Sequence, residues 1–224
     1  MVSIPARLHD AIENGQHSIV TQMLPYTIPA WDAILTAVRH DHVAILCELL
    51  LDNRIQPSAE ALQEAARMKN PVLLRKLLGD ARTEHPAMRV VTLVVAAGAG
   101  HLAQVEMLLP GIAPADCHDA LCVAVRWGHV SVVAHLLWTM GDTVNHHALV
   151  PDIVHSLENG HSDLVSNLLD LPGVGPVLAF RQNALLQVAM TRDDQAILRK
   201  LWATPSVRRL AQGGRRLKKQ VINI

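Results

Sequence analysis

The stretch that decides the fold is Leu121 to Leu137, which reads LCVAVRWGHVSVVAHLL. Its apolar residues recur at three- and four-residue spacing on both sides of Gly128, which is the pattern of two short amphipathic helices joined by a turn. Such helices are not stable alone, because nucleation is costly and isolated helices shorter than about 12 residues are marginal in water. The stretch therefore predicts a helical hairpin that is stabilised by packing on its neighbours.

Six further segments align with this stretch without a gap, so the chain carries a sevenfold internal repeat. The final Leu-pair positions are offset by 26, 28, 31, 28, 32 and 33 residues, which indicates a constant helical part and a variable connector. The other segments are LHDAIENGQHSIVTQML (8–24), ILTAVRHDHVAILCELL (34–50), LQEAARMKNPVLLRKLL (62–78), LVVAAGAGHLAQVEMLL (93–109), IVHSLENGHSDLVSNLL (153–169) and LQVAMTRDDQAILRKLW (186–202).

Small residues and glycines recur at fixed places in these segments. Alanine keeps the first helix thin, so adjacent repeats can approach closely; only the sixth repeat departs, with Ser156 at this place. The glycines are expected to end the first helix in the left-handed conformation. They are Gly15, Gly100, Gly128 and Gly160, and the same place is taken elsewhere by Asp41, Lys69 and Asp193.

With these residues the sequence resembles the ankyrin repeat family, whose signature begins T-P-L-H-x-A-A and continues through Gly-His to a Leu pair. Leu8-His9 matches the opening motif, and complete Gly-His pairs occur at Gly100-His101, Gly128-His129 and Gly160-His161. The resemblance extends from about Pro5 to Trp202. It implies an all-α protein, an α-solenoid of about seven ankyrin-like helix-turn-helix repeats in residues 1–204.

The connectors depart from the family pattern. Its usual β-hairpin finger ends in Gly-Ala-Asp-hydrophobic-Asn, which this chain lacks, and connectors 25–30 and 52–57 are too short for full fingers. Connectors 81–88, 138–150 and 170–183 are long enough for looped or hairpin-like fingers. Residues 205–224 are predicted to form a C-terminal capping helix and a basic tail, with Thr204 as N-cap and Pro205 at the first helical position.

Composition and charge argue against several classes of protein. The chain has 224 residues, and its longest nearly apolar stretch, Val90 to Ala99, falls far short of the roughly 20 residues that span a bilayer. The N-terminus has acidic residues where a signal peptide would be apolar, and the three cysteines form no CxxC pair. We therefore expect a cytoplasmic, or at least intracellular, protein without membrane insertion; nuclear or host-cell delivery remains open.

The net charge of zero conceals an asymmetry. The last twenty residues hold six basic residues and no acidic one, which leaves 14 basic against 20 acidic residues in the rest of the chain. A negatively charged body argues against nucleic-acid binding, whose usual mark is a basic stripe on the folded surface. The tail itself, RRLAQGGRRLKK, is either a nuclear-import or polyanion-binding segment or a solubilising end.

The histidine and cysteine residues of the sequence predict neither an enzyme active site nor a metal or cofactor site. His42, His101, His129 and His161 occupy equivalent repeat positions, about 10 Å apart in stacked helices and too far apart to share one ion. The resemblance implies that this histidine binds backbone between repeats. Cys117-His118-Asp119 holds catalytic residue types, but adjacency in sequence is not a catalytic geometry, and Asp119 reads as a helix cap.

The resemblance implies a non-enzymatic protein-interaction scaffold, since such solenoids bind partner proteins on a concave face. In the family, the two variable residues before Gly-His lie on that face. Basic side chains among them favour a partner with an acidic and partly apolar strip, bound by a monomer. The candidate partner-binding residues are Arg39, His40, Arg67, Met68, Arg126, Trp127, Glu158, Asn159 and Arg192.

Two alternative functions remain open from the residues alone. The chain could be the substrate-docking module of a larger enzyme or of a pathogen effector, or a tail-driven binder of nucleic acid or membrane surfaces. Within the scaffold hypothesis, Arg126 and Trp127 are the predicted hot spot, because the core pattern does not account for a tryptophan there. The competing interpretation has Trp127 folding back to cover a connector.

Overall fold

The computed structural model describes residues 4–171, 174, 184–205 and 207. These residues contain fourteen α-helices and no β-strand, which confirms the all-α prediction at the level of class. The helices are α1 (Ile4–Glu13), α2 (His17–Met23), α3 (Ala33–Arg39), α4 (Val43–Leu51), α5 (Ala59–Arg67), α6 (Pro71–Leu78), α7 (Pro86–Ala99), α8 (Leu102–Leu108), α9 (His118–Arg126), α10 (Val130–Met140), α11 (His146–Glu158), α12 (Ser162–Leu169), α13 (Ala184–Thr191) and α14 (Gln195–Ala203).

The helices follow one another as seven pairs, which we number 1 to 7 in chain order, and each pair overlaps one predicted segment. The chain forms two compact units, Met1–Asp116 and Cys117–Ile224. Pairs 1 to 4 belong to the first unit, and pairs 5 to 7 belong to the second. The predicted boundary at 204/205 borders a region in which only Pro205 and Val207 are described, so the capping helix and basic tail lie outside the described residues.

Within each unit, helices pack on their counterparts in the next pair. In the first unit α1, α3, α5 and α7 are in successive contact, as are α2, α4, α6 and α8; in the second unit α9, α11 and α13 follow the same order, and α12 contacts α14. Alanine at the contact positions is buried throughout, for example Ala37 and Ala124, both fully inaccessible. Small side chains permit this close approach. The apolar spacing of the repeat predicts that Leu77 and Leu136 are buried between helices, and both are 0% exposed.

The connectors contain short 3₁₀ turns instead of hairpin fingers. Connector 81–88 forms a 3₁₀ turn at Ala81–Thr83 and then enters α7, and connector 138–150 forms one at Gly141–Thr143 between α10 and α11. The helices α7 and α11 reach 14 and 13 residues, because the chain that could have formed a finger extends the helix instead. Connector 170–183 lies almost wholly outside the described residues.

An Asp-x-Arg motif follows the second helix of pairs 2 and 3 and ties each connector to carbonyl groups of other pairs. Arg54 Nη2 donates to the carbonyl oxygen of Leu24 at 2.7 Å, and Asp52 holds the same guanidinium. Arg82 donates to the carbonyl oxygens of Leu50 and Ile55, both at 2.7 Å, and is held by Asp80. The carbonyls of Leu24 and Leu50 lie at the end of the preceding second helix, where they have no intrahelical partner, and the arginines satisfy them.

Asp52 and Asp80 each form an ion pair with the arginine of their motif in the folded state. Hydrogen bonds from Arg82 hold the pKa of the Asp80 carboxyl below its ordinary value, and Arg54 has the same effect on the pKa of Asp52. A lowered folded-state pKa means that the pair stabilises the fold above the unfolded-state pKa of the carboxyl. This stabilisation is lost as the pH falls through the folded-state pKa.

Arg82→Ala is expected to lower the free energy of unfolding by about 2 to 4 kcal/mol, because it leaves two carbonyls and a carboxylate without their donor. Arg54→Ala is the matched control, since the Arg54 side chain is 44% exposed and that of Arg82 is 20% exposed. For this exposed pair we expect a smaller loss than for Arg82→Ala, because solvent screens the interaction. Urea denaturation followed by circular dichroism measures the stability of both variants. Equal midpoints would contradict the expectation that the hydrogen bonds of Arg82 stabilise the fold more than those of Arg54.

No helix among the described residues is long and apolar enough to cross a membrane.

Candidate binding surface

The predicted partner-binding residues lie where the first helix of a pair ends. Arg39, Arg67, Arg126 and Glu158 are the last residues of α3, α5, α9 and α11, and Arg192 directly follows α13. Eight of the nine candidates are exposed, and Met68 is half-buried. We call this set the turn surface; it divides between the units, with Arg39, His40, Arg67 and Met68 in the first unit and Arg126, Trp127, Glu158, Asn159 and Arg192 in the second.

The turns owe their shape to a left-handed residue. Gly128 has a φ of 77°, and beyond it the His129 amide donates to the carbonyl oxygen of Ala124 at 3.0 Å. This closure satisfies a helix carbonyl that would otherwise lack a partner, and it turns the chain directly into the second helix. Asp41 and Asp193, with φ values of 58° and 53°, adopt the same conformation. The predicted left-handed position is therefore confirmed for both aspartates, as it is for Gly15, Gly100, Gly128 and Gly160.

The prediction for Lys69 is wrong, because Lys69 does not have a positive φ. In pair 3 the chain leaves α5 at Met68 in an extended conformation, with φ −70° and ψ 145°. Asn70 then caps α6, its side chain accepting a hydrogen bond from the Val72 amide, and Pro71 begins the helix. A proline disfavours the helical region for the residue before it, so this turn is built differently from the glycine turns.

Polar side chains at the start of the second helix reach back to the turn of the preceding pair. His42 Nε2 lies 3.2 Å from the carbonyl oxygen of Glu13, and His101 Nε2 lies 2.9 Å from that of Arg67. The Gln104 amide donates to the carbonyl oxygen of Met68 at 2.7 Å. The carbonyls of Arg67 and Met68 in the turn surface are therefore held by the next pair, and these histidines act as structural donors.

Arg192 performs the same task in pair 7. It follows a helix in a position that led us to expect partner binding, yet its Nη1 donates to the carbonyl oxygen of Glu158 at 2.7 Å. Its guanidinium also covers Gly160: a Cβ added at this glycine would lie 3.0 Å from Nη2 of Arg192. Arg192 is still exposed, but part of its hydrogen-bonding capacity serves the fold.

Arg126 is held by an ion pair within the fold, whereas the Trp127 side chain is largely exposed. Arg126 donates from Nε to Asp152 Oδ1 at 2.8 Å, and its Nη2 lies 2.7 Å from the same oxygen. Asp152 is 6% exposed on its side chain, so this pair links α9 to α11. Trp127 is 55% exposed and Val130 is 47% exposed, which confirms the expectation that the tryptophan is at least partly exposed.

Sequence reasoning missed Asp152 as the partner of Arg126. The signal was present, since Asp152 is an acidic residue among the apolar residues of α11.

The basic candidates of the first unit have fewer contacts than Arg126. Arg67 forms an ion pair within its own helix, with Nη1 3.2 Å from Glu64 Oε2. His40 stacks on His42 with ring centroids 5.8 Å apart. Arg39 forms no side-chain ion pair with any described residue.

Two cysteines lie at α9, Cys117 at its N-terminus and Cys122 within it beside His118. Cys117 is buried at the N-terminus of α9, and Asp119 lies inside the first turn rather than at the cap, so the predicted capping role of Asp119 is wrong. Cys122 Sγ lies 3.5 Å from His118 Nε2. Burial, reinforced by the nearby Asp152 carboxylate, raises the pKa of the Cys122 thiol to about 12, so the sulfur is a thiol at neutral pH.

The described ranges contain no group of three or more His, Cys, Asp or Glu side chains that could hold a metal ion. No protein-family model matches the sequence, and no curated protein matches it.

Proposed function

We propose that this protein is a non-enzymatic scaffold of ankyrin-like helix pairs that binds a partner protein through the turn surface. The observation that carries the proposal is Trp127, a large aromatic side chain that is 55% exposed at the end of α9. Tryptophan and arginine are enriched among residues that dominate binding energy in protein interfaces. The proposal places Trp127 at the centre of the contact in the second unit.

The rigidity of the turns supports this proposal. The Gly128 turn is closed by a backbone hydrogen bond to α9, and the Arg126–Asp152 ion pair fixes the end of α9 on α11. A preorganised anchor loses less conformational entropy on binding than a mobile loop does. Val130, 47% exposed and three residues after Trp127, adds apolar area beside the anchor.

The charges refine the kind of partner. Arg126, Arg67 and Arg192 already have acceptors within the fold, so they offer a partner only part of their hydrogen-bonding capacity. Arg39 is exposed and forms no ion pair among the described residues. Within the second unit, an apolar partner surface would suit Trp127; within the first unit, taken separately, acidic partner residues would suit Arg39. Such rim charges contribute orientation and association rate more than affinity.

Trp127→Ala is expected to weaken partner capture roughly thirtyfold, which corresponds to the loss of about 2 kcal/mol at an interface hot spot. Its effect on the free energy of unfolding should be small, since more than half of the side chain is already in water. Proximity labelling in cells, followed by affinity measurement on the recovered partner, tests both the wild type and the variant.

Trp138→Ala is the matched control, because Trp138 is 83% exposed in the same unit but lies on α10, away from the turn surface. The proposal requires that this variant capture the partner like the wild type. Equal losses in both variants would indicate nonspecific adhesion of exposed tryptophans. A large loss of stability in Trp127→Ala, with intact binding per folded molecule, would instead assign Trp127 to packing.

A further inference from the structure

The residue that directly follows the Leu pair of α12 faces a basic residue of helix pair 7. At the end of α12 this residue is Asp170, and Lys200 Nζ lies 2.6 Å from Asp170 Oδ2. The same Nζ donates to the carbonyl oxygen of Ser166 at 3.0 Å. Lys200, on α14, is thus neutralised and held by two acceptors of the preceding pair.

The repeat alignment shows a contrasting arrangement in the first unit. The stretch RKLL at 75–78 aligns with RKLW at 199–202, so Lys76 corresponds to Lys200, and Leu51 corresponds to Asp170. Leucine cannot accept a hydrogen bond, and the Leu51 side chain is 78% exposed. Arg75 and Lys76 are exposed in the last turn of α6, and neither forms a side-chain hydrogen bond or ion pair with any other described residue.

A groove of about 400 Å³ lies at this place, between the C-terminal ends of α4 and α6. It is lined by Leu50, Leu51, Arg75, Lys76, Gly79 and Asp80. The Asp80 carboxylate is already held by Arg82, so it does not neutralise the two cations. The groove therefore combines an apolar wall with two basic groups that lack the carboxylate present at the equivalent position of the second unit.

We propose that this groove binds a short acidic peptide segment of a partner protein. An Asp or Glu carboxylate of the segment takes the place beside Lys76 that Asp170 takes beside Lys200, and an adjacent apolar side chain packs on Leu51. Charge complementarity selects the acidic residue, and the exposed leucine selects its apolar neighbour. The site uses the ends of second helices and shares no residue with the turn surface, so it is a second contact beyond the proposed function.

The probe is a fluorescein-labelled peptide, Glu-Asp-Glu-Leu-Leu-Glu-Glu, and its isosteric partner in which every acid is replaced by the amide. Fluorescence polarisation with the full chain is expected to show roughly tenfold tighter binding of the acidic peptide, and Lys76→Met is expected to remove that difference. Leu51→Asp places a carboxylate beside Lys76 in the first unit, equivalent to Asp170 beside Lys200 in the second unit. It should abolish acidic-peptide binding without lowering the midpoint of urea denaturation.

Trp127→Ala is the control that separates this site from the turn surface, and it should bind the acidic peptide like the wild type. Equal affinity for the acidic and amide peptides would overturn the proposal, and so would unchanged binding in both Lys76→Met and Leu51→Asp. Vesicles containing phosphatidylserine provide a final comparison. Lys76-dependent binding to these vesicles without binding of the acidic peptide would assign the groove to a lipid surface and also overturn the proposal.

Discussion

Gly128→Ala is expected to lower the free energy of unfolding of the second unit by about 2 to 5 kcal/mol. Gly128 has a φ of 77°, a conformation that costs a residue with a side chain roughly 1 to 2 kcal/mol. A Cβ at this position would also meet the His161 ring, at 2.6 Å from Cδ2 and closer still to Cγ. Because Cγ is near the backbone of His161, the ring has little freedom to move away, and overpacking of this kind adds about 1 to 3 kcal/mol.

Gly160→Ala is the matched control for this prediction. Gly160 has a φ of 91° in the next pair of the same unit, but a Cβ there would meet only the end of the Arg192 side chain, 3.0 Å away at Nη2. The flexible guanidinium can shift, so we expect mainly the backbone cost of roughly 1 to 2 kcal/mol. Urea denaturation that gave both variants the same midpoint would contradict the close packing of His161 under the Gly128 turn.

Leu136→Ala is expected to cost about 2 to 5 kcal/mol, the range for removing a buried leucine side chain and leaving a cavity. Leu136 is 0% exposed on α10, and the helix pairs of this unit hold one another in place. The damage should therefore appear as loss of helical circular dichroism at lower urea concentration, without a change in the helical spectrum of the folded state.

Trp138→Ala, two residues further along the same helix, provides the comparison for Leu136→Ala. Its side chain is 83% exposed, so its removal should change the free energy of unfolding by no more than about 0.5 kcal/mol. If Leu136→Ala melted within error of the wild type, α10 would not be packed through this leucine, and the helix-pair arrangement would be contradicted.

The helix pairs could be predicted because their signals are local. Apolar spacing around each turn marked the two helices, and glycine marked the residue that must adopt a positive φ, a rule that extended to Asp41 and Asp193. The rule failed at Lys69, where Asn70 and Pro71 provide another way to begin a helix. The Asn-Pro sequence is itself a local signal for the start of a helix, and it predicts this turn better than alignment with the glycine turns does.

The contacts between pairs were harder to anticipate. The Asp-x-Arg motifs at 52–54 and 80–82 recur 28 residues apart, equal to the offset between their Leu pairs, so a search for spacing among charged residues would have found them. The carbonyl acceptors of Arg82 could not have been found in this way, since any backbone carbonyl can accept a hydrogen bond. Only the position of the connector determines which carbonyls come within reach.

The candidate surface shows the same division between local and tertiary information. The sequence by itself determined the helical class, the seven pairs, the burial of Leu136 and the exposure of Trp127, because side-chain periodicity on a helix separates its buried face from its exposed face. Only the tertiary structure decided that Arg126 is paired with Asp152 while Lys76 forms no side-chain ion pair with any described residue. Both are exposed basic residues near the end of a helix, and their difference arises from a side chain on the neighbouring pair, which periodicity within one helix does not specify.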